Sequence, residues 1–203
     1  MSDVKIVPLR KLIAYNNEDG LASLLSDFDS PNDDINEFLA HKAIQFEKTD
    51  VARTSLVMAN YRGTLKIAGY FSLVSKSLIF DREEWNSFSN SQKKRLRPLG
   101  GHLDKMYYDI PAILLGQLGR NFKYNLITGS DLLGHVYETV KRASMGVAVR
   151  ILYLEAQDLD CLTDFYTRNG FSMLQVTNDS GKREPYIRKE SNLHLFVKQV
   201  DKI

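Results

Sequence analysis

Residues 164–171, DFYTRNGF, place a tyrosine in the last turns of a short helical pattern and follow it with an Asn-Gly pair that stops the helix. Leu159, Leu162, Phe165 and Tyr166 recur at spacings of three and four and make one apolar stripe, and Asp158 or Asp160 can cap its first turn. Gly170 supplies the left-handed position beyond the C-terminus, and Phe171 opens an extended run, FSMLQVT. A phenol held at a helix end beside a cleft can give a proton to a departing thiolate, since both groups titrate at roughly 8.5 to 10. The same spacing suits two ordinary core aromatics, so the chemistry depends on the company the segment keeps.

A second stretch could hold an anion. The apolar run IPAILLGQLGR reads as a central strand, SDLLGHVYETVKRAS as a helix, and NFKYNLITG connects them. A strand that ends at a helix N-terminus offers free backbone N–H groups and the positive end of the helix dipole, which is the physical basis of phosphate binding. Gly129 and Ser130 allow close approach and capping there, and Arg120 and Lys123 can supply charge. Cys161, inside DLDCLTDFY, reads as a small buried or half-buried side chain. His41, His102, His135 and His194 are scattered, and each reads as structural or exposed; no Cys or His spacing suits a metal.

The elements that must position these residues can be read in order. VKIVPL is extended, a polar stretch follows, and SPNDDINEFLAHKAIQFEK is a helix capped by Asn32 or Asp33, with Ile35, Phe38, Leu39, Ala43 and Phe46 on one face. TSLVMAN and TLKIAGYFSLVSKSLIF, separated by Tyr61, Arg62 and Gly63, form an antiparallel hairpin with a long second strand. Residues 81–109 break the rhythm and read as an inserted, partly helical segment. In the later helix Leu132, Leu133, Val136, Val140 and Ala143 share a face; VAVRILYLEA is a buried strand, and LHLFVKQV closes the chain after a polar loop over 178–192. Alternating strands and helices in the second half predict parallel neighbours joined by right-handed crossovers, so the fold class is α/β with a mixed sheet and helices on both faces.

The totals agree with one domain over 1–203: 203 residues, 43% of them hydrophobic, support one core. With 27 basic and 25 acidic side chains, the overall field steers neither nucleic acid nor anionic membrane toward the protein. SQKKRLR, with Lys93, Lys94, Arg95 and Arg97, reads as a local patch for RNA or an acidic partner, or as a solvated helix face. One cysteine fits a reducing cytoplasm, and no run approaches the roughly 18 apolar residues of a membrane span.

The whole pattern, apart from 81–109, resembles the GNAT superfamily of N-acetyltransferases: a strand like ILLGQLGR, a pyrophosphate loop, a helix, a strand, then a helix ending in Tyr-x-x-x-Gly-Phe, here Tyr166, Gly170 and Phe171. FDSPNDDINEFLAHKA, the pair Arg53 and Thr54, and IAGYFSLVSKSL look like the toxin-type branch of bacterial toxin-antitoxin pairs. The resemblance implies a single-domain mixed sheet of about six to seven strands, acetyl-CoA as co-substrate with no metal, and a primary amine of a small molecule, a protein or an aminoacyl-tRNA as acceptor. It implies that the backbone of Leu118, Gly119 and Arg120 contacts the pantetheine arm. It further implies that the amides of Ile127, Thr128, Gly129 and Ser130 hold the pyrophosphate and that Tyr166 is the general acid. An antitoxin or tRNA enters as partner, a homodimer stays open, and no membrane is involved. Two departures stand out: YNLITG keeps only Gly129 of the loop's glycines, and Leu159 stands where the family has a pantetheine-contacting Asn. They open an alternative, a catalytically degenerate GNAT-fold binding protein working through its insertion. For a general base the sequence offers Asp109, Glu155, or Gln117 acting through water.

Overall fold

The computed structural model describes residues 4–15, 17–178 and 180–203; of the polar loop over 178–192, Asp179 lies outside the described residues. The chain opens with β1 (Lys5–Pro8), as VKIVPL predicts, and then enters α1 (Leu9–Tyr15) and α2 (Glu18–Ser26). Both helices occupy what the sequence reads as a polar stretch. Their signal is present in retrospect: Asn17 caps α2 by accepting the Gly20 amide at 3.0 Å, and Leu21 and Leu25, one turn apart, are buried.

The helix over 33–48 forms in three parts: α3 (Asp33–Glu37), a π-helical segment (Phe38–Lys42) and α4 (Ala43–Lys48). Asn32 is the cap, its Oδ1 accepting the Asp34 amide at 3.0 Å. Phe38, Leu39 and Ala43 are buried as predicted, with Ile35 and Phe46 packed against them. The hairpin follows as β2 (Arg53–Tyr61) and β3 (Thr64–Ser75), antiparallel, turning through Arg62 and Gly63, both at positive φ, but its second strand stops at Ser75 instead of running on to Phe80, and residues 78–81 pair in another sheet.

Residues 81–109 hold more than helix. β4 (Leu78–Asp81) leads into α5 (Arg82–Ser87), which Asp81 and Glu84 close with a reciprocal capping box. α6 (Asn90–Leu96) follows, and then β5 (Gly101–His102) and β6 (Tyr107–Ile110), which with β4 form a separate three-stranded sheet in the order β4-β6-β5. Next come β7 (Ala112–Arg120), α7 (Gly129–Ser144), β8 (Ile151–Ala156), α8 (Asp160–Arg168), β9 (Ser172–Met173), β10 (Gln175–Thr177), β11 (Arg183–Pro185) and β12 (His194–Gln199). Hydrogen bonding orders the seven strands of the mixed main sheet as β1-β2-β3-β7-β8-β12-β9. The parallel expectation holds for β7 with β8, whereas β8 with β12 and β12 with β9 are antiparallel. The chain passes through α8, β9, β10 and β11 before β12, and so returns in the opposite direction.

Three smaller predictions need correction. Ala143 is exposed rather than on the buried face of α7, which ends one residue later. Residues 147–150 of VAVRILYLEA lie before the strand, and Val147 is exposed. FSMLQVT is broken at Leu174, whose amide donates to Leu195 O at 2.9 Å.

Two compact units divide the chain, residues up to Val74 with Leu115–Glu138, and Ser75–Leu114 with Thr139–Ile203. In the first, Leu9, Leu25, Leu39, Leu56 and Tyr70 form a core in which each fully buried leucine contributes about 2 kcal/mol. In the second, Phe80, Trp85, Phe88, Tyr108 and Tyr186 build an aromatic core with Tyr153 and Leu195.

Candidate functional site

In the first unit, β7 carries Leu118, Gly119 and Arg120. The register of β7 with β8 covers only Ala112, Ile113 and Leu114. Beyond it Gly116 is exposed while Gln117 and Leu118 are half-buried, so this end of a central strand is not sealed into the core. Gly119 is required by packing: a Cβ there would sit 2.4 Å from Ile35 Cγ2 and 3.0 Å from Tyr70 Cε1. Its glycine character therefore serves the core.

The loop after β7 is shaped by Asn121. Its buried Nδ2 donates to Ile67 O at 2.8 Å, and its Oδ1 accepts the Lys123 amide at 3.0 Å. Asn125 then adopts φ of 50°, a left-handed conformation that Asn tolerates. α7 is capped by Thr128, not by Gly129 or Ser130. The Thr128 hydroxyl accepts the Asp131 amide at 3.1 Å, and Asp131 accepts both the Thr128 amide at 2.9 Å and the Thr128 hydroxyl at 2.7 Å. This is the Thr-x-x-Asp form of a capping box, a signature legible in the sequence as TGSD. The hydrogen bond from Thr128 holds the Asp131 carboxyl below the usual carboxylate range.

Two consequences follow for an anion. Among the described hydrogen bonds the amides of Ile127, Gly129 and Ser130 have no protein partner, and the last two are the first amides of a sixteen-residue helix, whose dipole favours negative charge. The Thr128 amide, in contrast, is already taken by a carboxylate that adds a negative charge to the same helix end. Arg120 stands over the loop: its Nη1 donates to Asn125 Oδ1 at 2.7 Å and Ile127 O at 3.3 Å, with its guanidinium 4.2 Å from the centre of the Phe122 ring. Lys123 points elsewhere, to Asp27 at 2.5 Å. Asp27 also accepts from Lys66 at 2.8 Å and the Tyr124 hydroxyl at 2.6 Å. Burial opposes ionisation of Asp27, but these three donors outweigh it and hold its carboxyl far below the usual range. This knot was not legible in the sequence, because Asp27 and Lys123 are 96 residues apart.

In the second unit, Tyr166 sits in the last turns of α8 as predicted. Neither Asp158 nor Asp160 caps that helix; the N-cap position is Leu159, without a side-chain hydrogen bond, and Asp160 is the first helical residue. The C-terminus is firmly closed. Asn169 Nδ2 donates to Phe165 O at 2.8 Å, the Phe171 amide donates to Tyr166 O at 3.0 Å, and Gly170 takes φ of 85°. The Tyr166 ring lies against Phe165, Phe171 and Phe196 at centroid distances of 5.2, 5.8 and 5.4 Å. Among the described residues nothing hydrogen-bonds its hydroxyl, and burial pushes the phenol up to about 12, so it keeps its proton across the neutral range. Cys161, on the same helix, is exposed rather than buried.

Of the base candidates, Gln117 Oε1 and Asp109 Oδ1 are buried without a hydrogen-bond partner among the described residues. Glu155 faces Arg188 at 3.6 Å, a structural pairing, since Arg188 also donates to Ile79 O at 2.9 Å. Arg53 and Thr54 both serve α4: Arg53 pairs with Glu47 at 3.3 Å and Asp50 at 2.5 Å, and the Thr54 amide donates to Glu47 Oε2 at 2.8 Å. Among the described residues no group of three or more His, Cys, Asp or Glu side chains could hold a metal, and no helix is long and apolar enough to cross a membrane.

No family model and no curated protein matches the chain. Solved structures match it along nearly its whole length. A tyrosine-to-phenylalanine mutant of KacT is 19% identical with a TM-score of 0.64, the match covering 98% of this chain and 95% of that one. AtaT complexed with acetyl-methionyl-tRNAfMet is 19% identical with a TM-score of 0.64, covering 98% and 96%. A tyrosine-to-phenylalanine mutant of the AtaT toxin, bound to the C-terminus of the antitoxin AtaR and acetyl-CoA, is 18% identical with a TM-score of 0.62, covering 98% and 94%.

Proposed function

Starting from the fold shared with these toxins, we propose that the chain is an acetyl-CoA-dependent N-acetyltransferase of the toxin-type GNAT branch. The observation that carries this reading is the set of Ile127, Gly129 and Ser130 amides left at the N-terminus of α7, directly after β7, which suits a pyrophosphate. The unsealed end of β7 at Leu118, Gly119 and Arg120 suits the pantetheine arm, and Arg120 adds a cation beside the loop.

In the reaction a neutral primary amine attacks the thioester carbonyl, and the thiolate departs as the amide forms. Tyr166 supplies the thiolate's proton from its hydroxyl, and the proton that the attacking nitrogen sheds as the amide forms restores the phenol through solvent. With the phenol pushed up to about 12, full transfer to a thiolate that titrates at roughly 8.5 is uphill, so the hydroxyl acts first as a hydrogen-bond donor to the growing charge. The likeness to AtaT, seen with acetyl-methionyl-tRNAfMet, supports the α-amine of an aminoacyl-tRNA as acceptor over a small or protein amine. That amine has a low pKa for an amine and is partly neutral at pH 7, so a dedicated base is dispensable. The AtaR complex supports an antitoxin as partner. A single cytoplasmic domain that carries 81–109 as an insertion completes the reading.

Asp131 favours a second reading, a catalytically degenerate binding protein, because its carboxylate occupies one of the loop amides. Thiol release from acetyl-CoA in the presence of aminoacyl-tRNA separates the two. The enzyme reading expects turnover that falls about 10²- to 10³-fold in Tyr166→Phe. Full activity in that variant removes Tyr166 from its role, and failure of the wild type to bind acetyl-CoA at millimolar concentration transfers support to the second reading.

A further inference from the structure

The second unit contains a cavity of about 100 Å³ that no step of acetyl transfer uses. Its floor is hydrocarbon: Leu96, Ile151, Leu174 and Val197 are each at most 6% exposed. Its wall is cationic. Arg95 and Ser172 both line it and are joined by a 3.2 Å hydrogen bond from Arg95 Nη2 to Ser172 Oγ, which fixes one guanidinium at the wall. Lys198 is fixed at another point, where its Nζ donates to Asn169 O at 2.9 Å and lies 2.7 Å from where a Cβ of Gly170 would be. Lys202 is a third cation on the lining, and among the described residues no carboxylate lines the cavity. Burial pulls the Lys198 ammonium below its ordinary range, the direction a bound anion would reverse.

We propose that this cavity binds a small carboxylate with a short branched aliphatic tail, its carboxylate on Arg95 and Lys198 and its tail on the leucine, isoleucine and valine floor. A planar guanidinium beside an ammonium matches carboxylate geometry and charge. Inorganic phosphate fits less well, because it would place a fully hydrated anion against hydrocarbon with nothing to offset the desolvation. Drug-sized ligands and cofactors need pockets of roughly 300 to 1,000 Å³, so the occupant is a small acid or the last residue of a chain. Arg95 belongs to SQKKRLR, and the cavity gives part of that basic cluster a function besides solvation.

Titration of the full chain with 4-methylpentanoate, followed by calorimetry and amide chemical shifts, tests the site, with N-acetyl-leucine as a second arm to tell a chain terminus from a free acid. Saturable millimolar or tighter binding is expected for one or both acids, with shifts at Ser172 and Leu174. Arg95→Gln, on an exposed helix position that leaves the core intact, is expected to weaken binding roughly tenfold or more, as is Lys198→Gln. Four outcomes overturn the proposal: absence of saturation at millimolar acid, equal binding of 4-methylpentan-1-ol, tighter binding of inorganic phosphate, or unchanged affinity in an Arg95→Gln protein that retains its melting temperature.

Discussion

The two helix ends proposed for acetyl transfer are built in opposite ways. At the C-terminus of α8, Asn169, Gly170 and Phe171 satisfy the last carbonyls, and Phe165, Phe171 and Phe196 surround Tyr166, leaving one hydroxyl for chemistry. At the N-terminus of α7 the reverse holds: the side chains are short and polar, three amides are left over among the described hydrogen bonds, and the charge fixed on the helix end itself, Asp131, has the sign of the proposed ligand. A site that acts through a side chain needs that side chain walled in. One that acts through backbone amides needs only the right chain path, and tolerates a loop poor in glycine as long as that path survives.

The largest effect should come from the walled-in end. Tyr166→Phe removes only an oxygen from the aromatic cluster, so the melting temperature should stay within a few degrees while turnover falls about 10²- to 10³-fold. A loss of turnover paralleled by unfolding would make Tyr166 structural. Next is the strand that feeds the loop: Gly119→Ala forces a methyl against Ile35 and Tyr70 and should cost about 1 to 3 kcal/mol in denaturant unfolding. An unaffected midpoint would show that Ile35 moves aside freely.

Smaller effects separate charge from geometry at the open end. Asp27 has a folded-state pKa below its unfolded value, so its contribution is present above the ordinary carboxylate pKa and is lost as the pH falls below about 4. Asp27→Asn should therefore lower stability near neutral pH by about 1 kcal/mol after solvent screening and flatten the acid limb of the melting curve. An unchanged acid limb would mean the knot with Lys66, Lys123 and Tyr124 is not formed in solution. Asp131→Asn keeps an acceptor for the Thr128 amide but removes the negative charge, and should tighten acetyl-CoA several-fold, by about 1 kcal/mol. Weaker binding in that variant would show that the carboxylate helps to hold the loop in its binding shape.

Much of this was legible in the sequence, and the reasons differ by region. α8 and its stop were readable because Tyr166, Asn169 and Gly170 act on their own neighbours, within one turn. The hairpin over β2 and β3 was readable for the same reason, from Arg62 and Gly63 between two strand-like runs. α1 and α2 were missed because their leucines are diluted by exposed polar residues, although Asn17 and the spacing of Leu21 and Leu25 carried the signal. The place of FSMLQVT was misread, because alternation of elements does not encode which strand comes to lie beside which: β12 sits between β8 and β9, antiparallel to both. The Asp27 knot, the packing demand at Gly119 and the cationic cavity all depend on residues that meet only in the folded chain.

The central claim is that backbone amides at the start of α7 hold the pyrophosphate of acetyl-CoA. Titrating the ¹⁵N-labelled protein with acetyl-CoA and following the amide resonances tests it most directly. Saturable downfield shifts at Ile127, Gly129 and Ser130, larger than those elsewhere in the chain, are the expected result. Saturation of acetyl-CoA binding with those three amides unmoved, or no saturation at all, would contradict it.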